Sequence, residues 1–198
     1  MEMEGQGPGG PAEKAPSASE RIVAAAYELF ARRGIRDVGI DQLIRASGVA
    51  KATFYRHFRS KDEVVLAYLD RWYRERSEAI DAAVARNADQ DDALLAVFDV
   101  FDVWFLLGRA QVMTFVQVMM EMGPEHLLGR ASIRYMERTR EQLARIASAA
   151  GLEDPEGFAW SMHILIKGAV VAAAEGDPYA ATHARTMAAL LMDDHTRF

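Results

Sequence analysis

Six side chains within eleven positions carry the donors and positive charges that a polyanion requires: Lys51, Thr53, Tyr55, Arg56, His57 and Lys61. A helix entering the groove of a nucleic acid needs a small first turn, so that its backbone can approach, and then donors at successive positions. Ala50-Lys51-Ala52-Thr53 meets both conditions. Lys51 would reach a guanine edge or a phosphate, whereas Tyr55, His57 and Lys61 are spaced to reach phosphates along the rim of the groove. Only four lysines occur in the chain, and two of them fall here. Charge is distributed accordingly. Residues 21–61 hold nine Lys and Arg against three Asp and Glu, while the stretch from 62 onward holds thirteen against twenty-two, so a basic head precedes an acidic body. That asymmetry suits a local polyanion contact on a protein that otherwise repels polyanions, although a solvated helix face gives a similar block of charge.

The elements that must position these residues are short helices. Ser17 and Glu20 stand in capping-box spacing before an amphipathic stretch with Ile22, Ala26, Leu29, Phe30 and Arg33 on one face, which Gly34 stops. A second helix is expected from about Ile40 to Ser47, with Ile40, Leu43 and Ile44 inward, and a third from near Ala50 to about Phe58, the two joined by a tight turn at Gly48. This is the layout of a helix-turn-helix, in which Phe54 and Phe58 read as core. Ser60 with Glu63 caps a fourth helix reaching about Arg86 and carrying Val64, Val65, Tyr68, Leu69 and Trp72 at helical spacing. Helical punctuation continues to the end. Asp89 caps a helix from about Gln90 to Leu107, Gly123-Pro124 ends one helix and opens the next, and Asp154-Pro155 and Asp177-Pro178 each set an Asp N-cap before a Pro at the first helical position. The expectation is an all-α chain of about nine helices.

Composition excludes several chemistries. With no cysteine, disulfide scaffolds, thiolate catalysis and cysteine-ligated metals are absent. No nucleophile elbow, phosphate-binding loop or Glu-x-x-His pair occurs, so an enzyme, including a carboxylate-bridged metal oxidase, is not expected, nor is a cofactor or a resident metal. The apolar run from Ala93 to Gly108 carries Asp99 and Asp102, and no stretch is expected to reach the roughly 18 residues of a membrane span. The start, MEMEGQGPGG, is acidic and Gly-rich and does not read as a signal peptide, so a cytoplasmic protein without membrane contact is expected. Residues 1–16 read as a disordered tail, since four Gly and three Pro fall among small polar residues in positions 1–18.

The segments RIVAAAYELFARRG and IDQLIRASGVAKATFYRHFRSKDEVV closely resemble the N-terminal domain of the TetR (tetracycline repressor) family of transcriptional regulators. Ala25-Ala26, Leu29-Phe30, Gly34, Gly48-Val49, Thr53, Tyr55, His57-Phe58 and Ser60-Lys61 fall in register. The resemblance covers about a quarter of the chain. It implies a DNA-binding domain over 17–76, with the helix-turn-helix at about 39–58, and a ligand-binding and dimerisation domain over 77–198. It further implies that the third helix is the recognition helix, that Tyr55, His57 and Lys61 contact phosphates, and that Lys51, Thr53 and Arg56 approach bases. Three positions depart from the family pattern. Val38-Gly39 replaces hydroxyl residues entering the second helix, Ala50 replaces a frequent Ser or Thr, and Ile44 replaces a frequent Ala inside the small domain.

In the acidic body, Leu94, Phe98, Phe101 and Phe105 form a stripe with Val97 and Trp104 beside it, so that helix must be central. Five of the ten methionines (Met113, Met119, Met120, Met122 and Met136) lie in the next two helices and offer a repackable lining for an apolar or aromatic effector. The candidate pocket is therefore Phe98, Phe101, Trp104, Phe105, Met119, Met120, Tyr135, Trp160 and His163, although aromatic and Met residues at this spacing equally suit a plain core. Asp99 and Asp102, one turn apart, either reach solvent and pair with Arg109 or another bundle arginine, or meet His126 and His163 around a cation. Ala169, Ala172, Ala173 and Gly176 in one late helix, and Ala184, Ala188 and Leu191 in the last, offer small faces for close helix packing. The resemblance assigns the homodimer to these two helices. Two-fold symmetry then implies a palindromic double-stranded DNA operator with half-sites roughly 34 Å apart. The reading is a ligand-responsive repressor, and the rival is a non-regulatory DNA-binding or partner-binding module that organises the chromosome.

Overall fold

The computed structural model describes residues 15–87, 89–107 and 114–194. Nine helices run through them: α1 (Ala18–Arg33), α2 (Ile40–Ser47), α3 (Lys51–His57), α4 (Lys61–Ala85), α5 (Gln90–Leu106), α6 (Thr114–Met122), α7 (Leu127–Ala149), α8 (Pro155–Glu175) and α9 (Ala180–Asp194). The tail expected over 1–16 lies outside the described residues up to position 14, as do Arg109 and Met113.

Local chemistry sets the helix ends. At α1 the capping box is complete: Glu20 N–H donates to Ser17 Oγ (3.2 Å) and Ser17 N–H to Glu20 Oε2 (2.6 Å). Gly39 caps α2 without a side chain, and Gln42 compensates by accepting from Gly39 N–H at 2.9 Å. Gly48 ends α2 in the left-handed region, with φ 63° and ψ 25°, a conformation that costs little only without a Cβ, and this sharp reversal starts α3. Ser60 caps α4 through Glu63 N–H, and Asp154 caps α8 with Pro155 behind it.

The junctions at Gly123-Pro124 and Asp177-Pro178 differ from expectation. Pro124 does not open a helix. The chain turns first, and α7 starts at Leu127 with His126 as N-cap, its Nδ1 accepting from Leu128 N–H at 3.2 Å. This turn folds so tightly onto α7 that a Cβ at Gly129 would stand 1.9 Å from the Gly123 carbonyl oxygen. Asp177 likewise closes a turn, accepting from Tyr179 N–H at 2.9 Å before α9 begins at Ala180.

α1, α2 and α3 form the head, closed by the first turns of α4 around Phe30, Leu43, Phe54, Val64, Val65 and Tyr68. Ile44, large for its place, is half-buried against this core instead of overfilling it. The body packs α7 between α6 and α8, α9 against α5 and α8, and the second half of α4 against α5 and α7. One continuous helix serves both parts: α4 runs 25 residues and passes through position 76, where the domain boundary was expected. Aromatic rings line it from head to body, with Tyr27 5.3 Å from Tyr68 and 5.9 Å from Trp72, and Trp72 4.8 Å from Trp104 of α5.

Two expectations about apolar surfaces require correction. α8, at 21 residues and mean hydropathy 1.4, is long and apolar enough to cross a membrane by length and composition. Its periodicity hid this, because Phe158, Ala159, Met162, Ile166, Ala169 and Val170 are buried in the bundle while Trp160, Ile164 and Val171 face outward. The small residues are divided between inside and outside: Ala172 and Ala173 are half-buried and Gly176 is exposed. Ala169, Ala184 and Ala188 are buried within the chain, where they let α8 and α9 approach each other, and the exposed apolar residues are Trp160, Ile164 and Val171 on α8 with Met187 and Leu190 on α9.

Phe54 is fully buried at the centre of the head, so Phe54→Ala is expected to lower unfolding free energy by about 3–5 kcal/mol, read as a reduced urea midpoint.

Candidate nucleic-acid interface and buried cavity

The head presents its donors on α3. Lys51, Arg56 and His57 are exposed, Tyr55 is 43% exposed, and Thr53 is half-buried, whereas Phe54 and Phe58 on the opposite side anchor the helix. The period of the helix makes this division: Phe54 and Phe58 are i and i+4, with the polar side chains between and before them. Tyr55 is braced edge-on against Phe54, ring centroids 5.5 Å apart, so its hydroxyl is held outward by an aromatic contact. Lys51 pairs loosely with Asp41 at 3.8 Å, both side chains being largely in water, a contact weak enough to exchange for a phosphate. Lys61 behaves differently. Its ammonium donates to the Ile35 carbonyl at 2.9 Å and the Arg36 carbonyl at 3.5 Å, fastening the start of α4 to the loop before α2.

That loop is also held by the body. Arg36 N–H donates to Glu121 Oε1 at 2.8 Å, and the Arg36 guanidinium donates to the Glu121 carbonyl at the end of α6. His126, at the start of α7, lies 3.9 Å from Asp62 in the first turn of α4. Among the described residues, these contacts bring the end of α6 and the start of α7 onto the loop and helix start that frame the helix-turn-helix.

A cavity of about 50 Å³ opens in the body between α4, α5, α6, α7 and α8, lined by Phe101, Phe115, Val116, Met136, Ile166 and Val170 together with Arg76, Thr139, His163 and Lys167. Of the nine residues expected at a pocket, it contains Phe101 and His163. Phe98 and Trp104 are buried core, while Phe105 and Met119 are half-buried against that core. Tyr135 stacks on Phe115 at 5.3 Å and on Tyr73 at 5.2 Å, and its hydroxyl donates to Asp70 at 3.3 Å. Burial, and then the negative charge of Asp70, push the Tyr135 phenol up from its ordinary pKa. Met120 is 75% exposed and Trp160 51% exposed, each on the outward side of its helix, with the Arg140 guanidinium 4.0 Å over the Trp160 ring.

The polar side of the cavity was the part missed. Arg76 is 6% exposed, donates to Thr139 Oγ1, lies 4.8 Å over the Phe115 ring, and has no hydrogen-bond partner at Nε. Burial lowers its pKa to about 10. In the sequence Arg76 sits among Arg71, Arg74 and Glu75 on a helix rich in surface charge, and only its position at i+4 from Trp72 and i−4 from Ile80 signals that it faces inward. His163 is 5% exposed with no partner at Nδ1, and burial, followed by the nearby charges of Lys167, Arg140 and Arg76, lowers its pKa from 6.5 to about 3. Burial and Arg140 lower Lys167 as well. Asp99 does not approach these groups: it lies 3.8 Å from Arg185 of α9, near the surface, and His126 is with Asp62.

The pattern described as "Bacterial regulatory proteins, tetR family" matches residues 22–68, the whole of the helix-turn-helix and the first turns of α4. The match covers about a quarter of the chain. Among curated relatives, the HTH-type transcriptional regulator EthR of Mycobacterium tuberculosis is 34% identical over 79 residues, 38% of this chain and 37% of EthR. The HTH-type transcriptional activator FasR of Mycolicibacterium smegmatis is 32% identical over 81 residues, 41% of this chain and 37% of FasR. The chain thus matches little more than a third of the length of these relatives. Similarity of structure extends further. A TetR-family transcriptional regulator from Streptomyces coelicolor superposes with a TM-score of 0.82 at 25% identity, covering 89% of this chain and 95% of that one. A TetR transcriptional regulator from Chloroflexus aurantiacus shares the fold at a TM-score of 0.74 and 23% identity, over 91% of this chain and 96% of its own.

The His163 shift fixes the sign of a pH effect. Its folded pKa is below its unfolded value, so between those values the unfolded chain binds more protons and stability falls as pH drops below 6.5 toward 3. Denaturant melts at pH 7 and pH 5 are expected to differ by about 2 kcal/mol from this group, and His163→Gln should remove that part of the difference.

Proposed function

We propose that this protein is a cytoplasmic, sequence-specific, DNA-binding transcriptional regulator, a homodimeric repressor released from a palindromic operator by a small molecule bound in the body. The observation that carries the DNA-binding part is the division of α3, with Lys51, Tyr55, Arg56 and His57 exposed on one side and Phe54 and Phe58 locked into the core on the other. A rigid helix with an outer face of donors can lie in a major groove without reorganising. Lys51, Thr53 and Arg56 read bases, and Tyr55 and His57 bind phosphates. Lys61 keeps one ammonium proton for a phosphate after its two bonds to the Ile35 and Arg36 carbonyls.

The control step follows from α6. Its first turns carry Phe115 and Val116 at the cavity, and its last residues carry Glu121, bonded to Arg36 in the loop before α2. A molecule wedged between α6 and the neighbouring helices shifts Glu121, and Arg36 and the head move with it. Operator affinity falls by the preference of that molecule for the shifted arrangement and by no more. The second copy covers the outer face of α8 and α9, where Trp160, Ile164, Val171, Met187 and Leu190 are exposed. Four helices then form the interface, and two heads face one side of the duplex.

Fluorescence anisotropy with duplex from immediately upstream of the gene, titrated against salt and random duplex, tests the reading. The parent should resist random competitor. Arg56→Ala should cost about 1–3 kcal/mol and relax discrimination, and Tyr55→Phe should weaken both duplexes alike. Binding no stronger than to random duplex would remove the operator reading. For the dimer, Ile164→Glu together with Leu190→Glu should sediment as a folded monomer at micromolar concentration, and a variant that remained dimeric would move the interface elsewhere.

A further inference from the structure

We propose that the cavity beside Arg76 takes an organic anion, a monocarboxylate with an apolar body, whose acid group is held by Arg76 and Lys167 and whose carbon skeleton lies against Phe101, Phe115, Met136 and Ile166. The proposal rests on the reading of the body as an effector domain and names the class of effector. Three observations carry it. First, a guanidinium is buried to 6% exposure beside a threonine hydroxyl and an aromatic face, and its Nε has no acceptor among the described residues. Arginine in a protein interior is ordinarily paired with a carboxylate, because an uncompensated buried charge is costly. Here none of the ion pairs among the described residues involves Arg76, Lys167 or Arg140. Among the described residues no carboxylate supplies the counter-charge, and a bound anion would.

Second, the charges around the cavity are positive. Lys167 lines the same cavity, Arg140 adds its charge to the same neighbourhood, and His163 offers a buried Nδ1 without a partner at the wall. An acid group bound here would meet fork-shaped donors from Arg76 and a point charge from Lys167, the arrangement in which charge-assisted hydrogen bonds are strongest. A cationic ligand would meet the like charges of Arg76 and Lys167 at the wall and of Arg140 near it. Third, the remaining wall is apolar and includes Met136 and two phenylalanines, so the part of the ligand beyond its acid group is hydrocarbon. At about 50 Å³ the free cavity holds a few waters, and a ligand must spread α6 from α7 and α8 to enter, which is the movement the control step requires.

Titration calorimetry of the full-length protein with octanoate, octanamide, octylamine and acetate tests the proposal. Octanoate should bind about tenfold or more tightly than each of the others. Arg76→Lys should keep the preference for octanoate over octanamide. Arg76→Met should abolish it, and Lys167→Met, at a half-buried position that leaves Arg76 in place, should reduce it. Octanamide or octylamine binding as tightly as octanoate, no octanoate heat at millimolar concentration, or an unchanged preference in both Met variants would overturn the anion site. Acetate equalling octanoate would overturn the apolar body. The same samples, followed by anisotropy on the upstream duplex, separate this from the reading beneath it: octanoate that binds with the expected preference and leaves the DNA complex intact upholds the anion site and removes the effector role.

Discussion

The uninterrupted hydrogen-bond ladder of α4 is the constraint on which the rest of the molecule depends. Its first half completes the head by burying Val64, Val65, Tyr68 and Leu69, and its second half enters the body with Trp72, Arg76 and Ile80. A helix transmits displacement along its axis because bending it means breaking backbone bonds, so the two halves of the protein cannot reorient independently. Contacts from α6 and α7 supplement this shaft. Glu121 holds Arg36 and His126 stands by Asp62, both beside the start of α2 or α4, and Lys61 closes the triangle by binding the Ile35 and Arg36 carbonyls. The head is thereby attached at its base, and the outer face of α3 stays exposed.

The same helix carries the least economical residue in the structure. An arginine buried without a carboxylate weakens the ligand-free fold, since desolvation of the guanidinium is offset only by Thr139 and the face of Phe115. Beside Arg76 on the same helix, Gln142 Nε2 of α7 donates to the Ser77 carbonyl at 2.9 Å and to Asp81 at 2.8 Å. The contrast between these two neighbouring positions gives Arg76 its meaning. A chain that pairs the Gln142 amide nitrogen and leaves Arg76 without a carboxylate among the described residues has placed that charge at a cavity lined by α4, α5, α6, α7 and α8.

Packing of α8 and α9 shows how one composition serves two purposes. Alanines turned inward bring the two helices together, and large apolar residues turned outward leave a face that water covers poorly. The hydropathy of α8 is high enough for a bilayer because both sides of it carry apolar residues, one side buried within the chain and the other exposed.

Sequence alone determined the helix-turn-helix. Capping residues at Ser17 and Ser60, glycines at 34 and 48, and apolar spacing at Leu43, Phe54 and Val64 are local signals, read within a turn or two of backbone, and the helices they bound fall where they were expected. Period and charge also separated Phe54 and Phe58 from the exposed side chains of α3, because a seven-residue helix has room for one buried face. Tertiary structure decided the rest. The start of α7 depended on Gly129 admitting the Gly123 carbonyl, a contact invisible to local spacing. Which alanines lie inside depended on how α8 meets α9. The cavity depended on five helices converging, so that Phe98 and Trp104 became core, Met120 and Trp160 became surface, and Arg76, which reads locally as one more charge on an exposed helix, became the buried group that faces an empty space. Local periodicity tells which side of a helix is apolar. What stands opposite a given side chain is set by chain segments far away in sequence, and only the packed bundle brings them together.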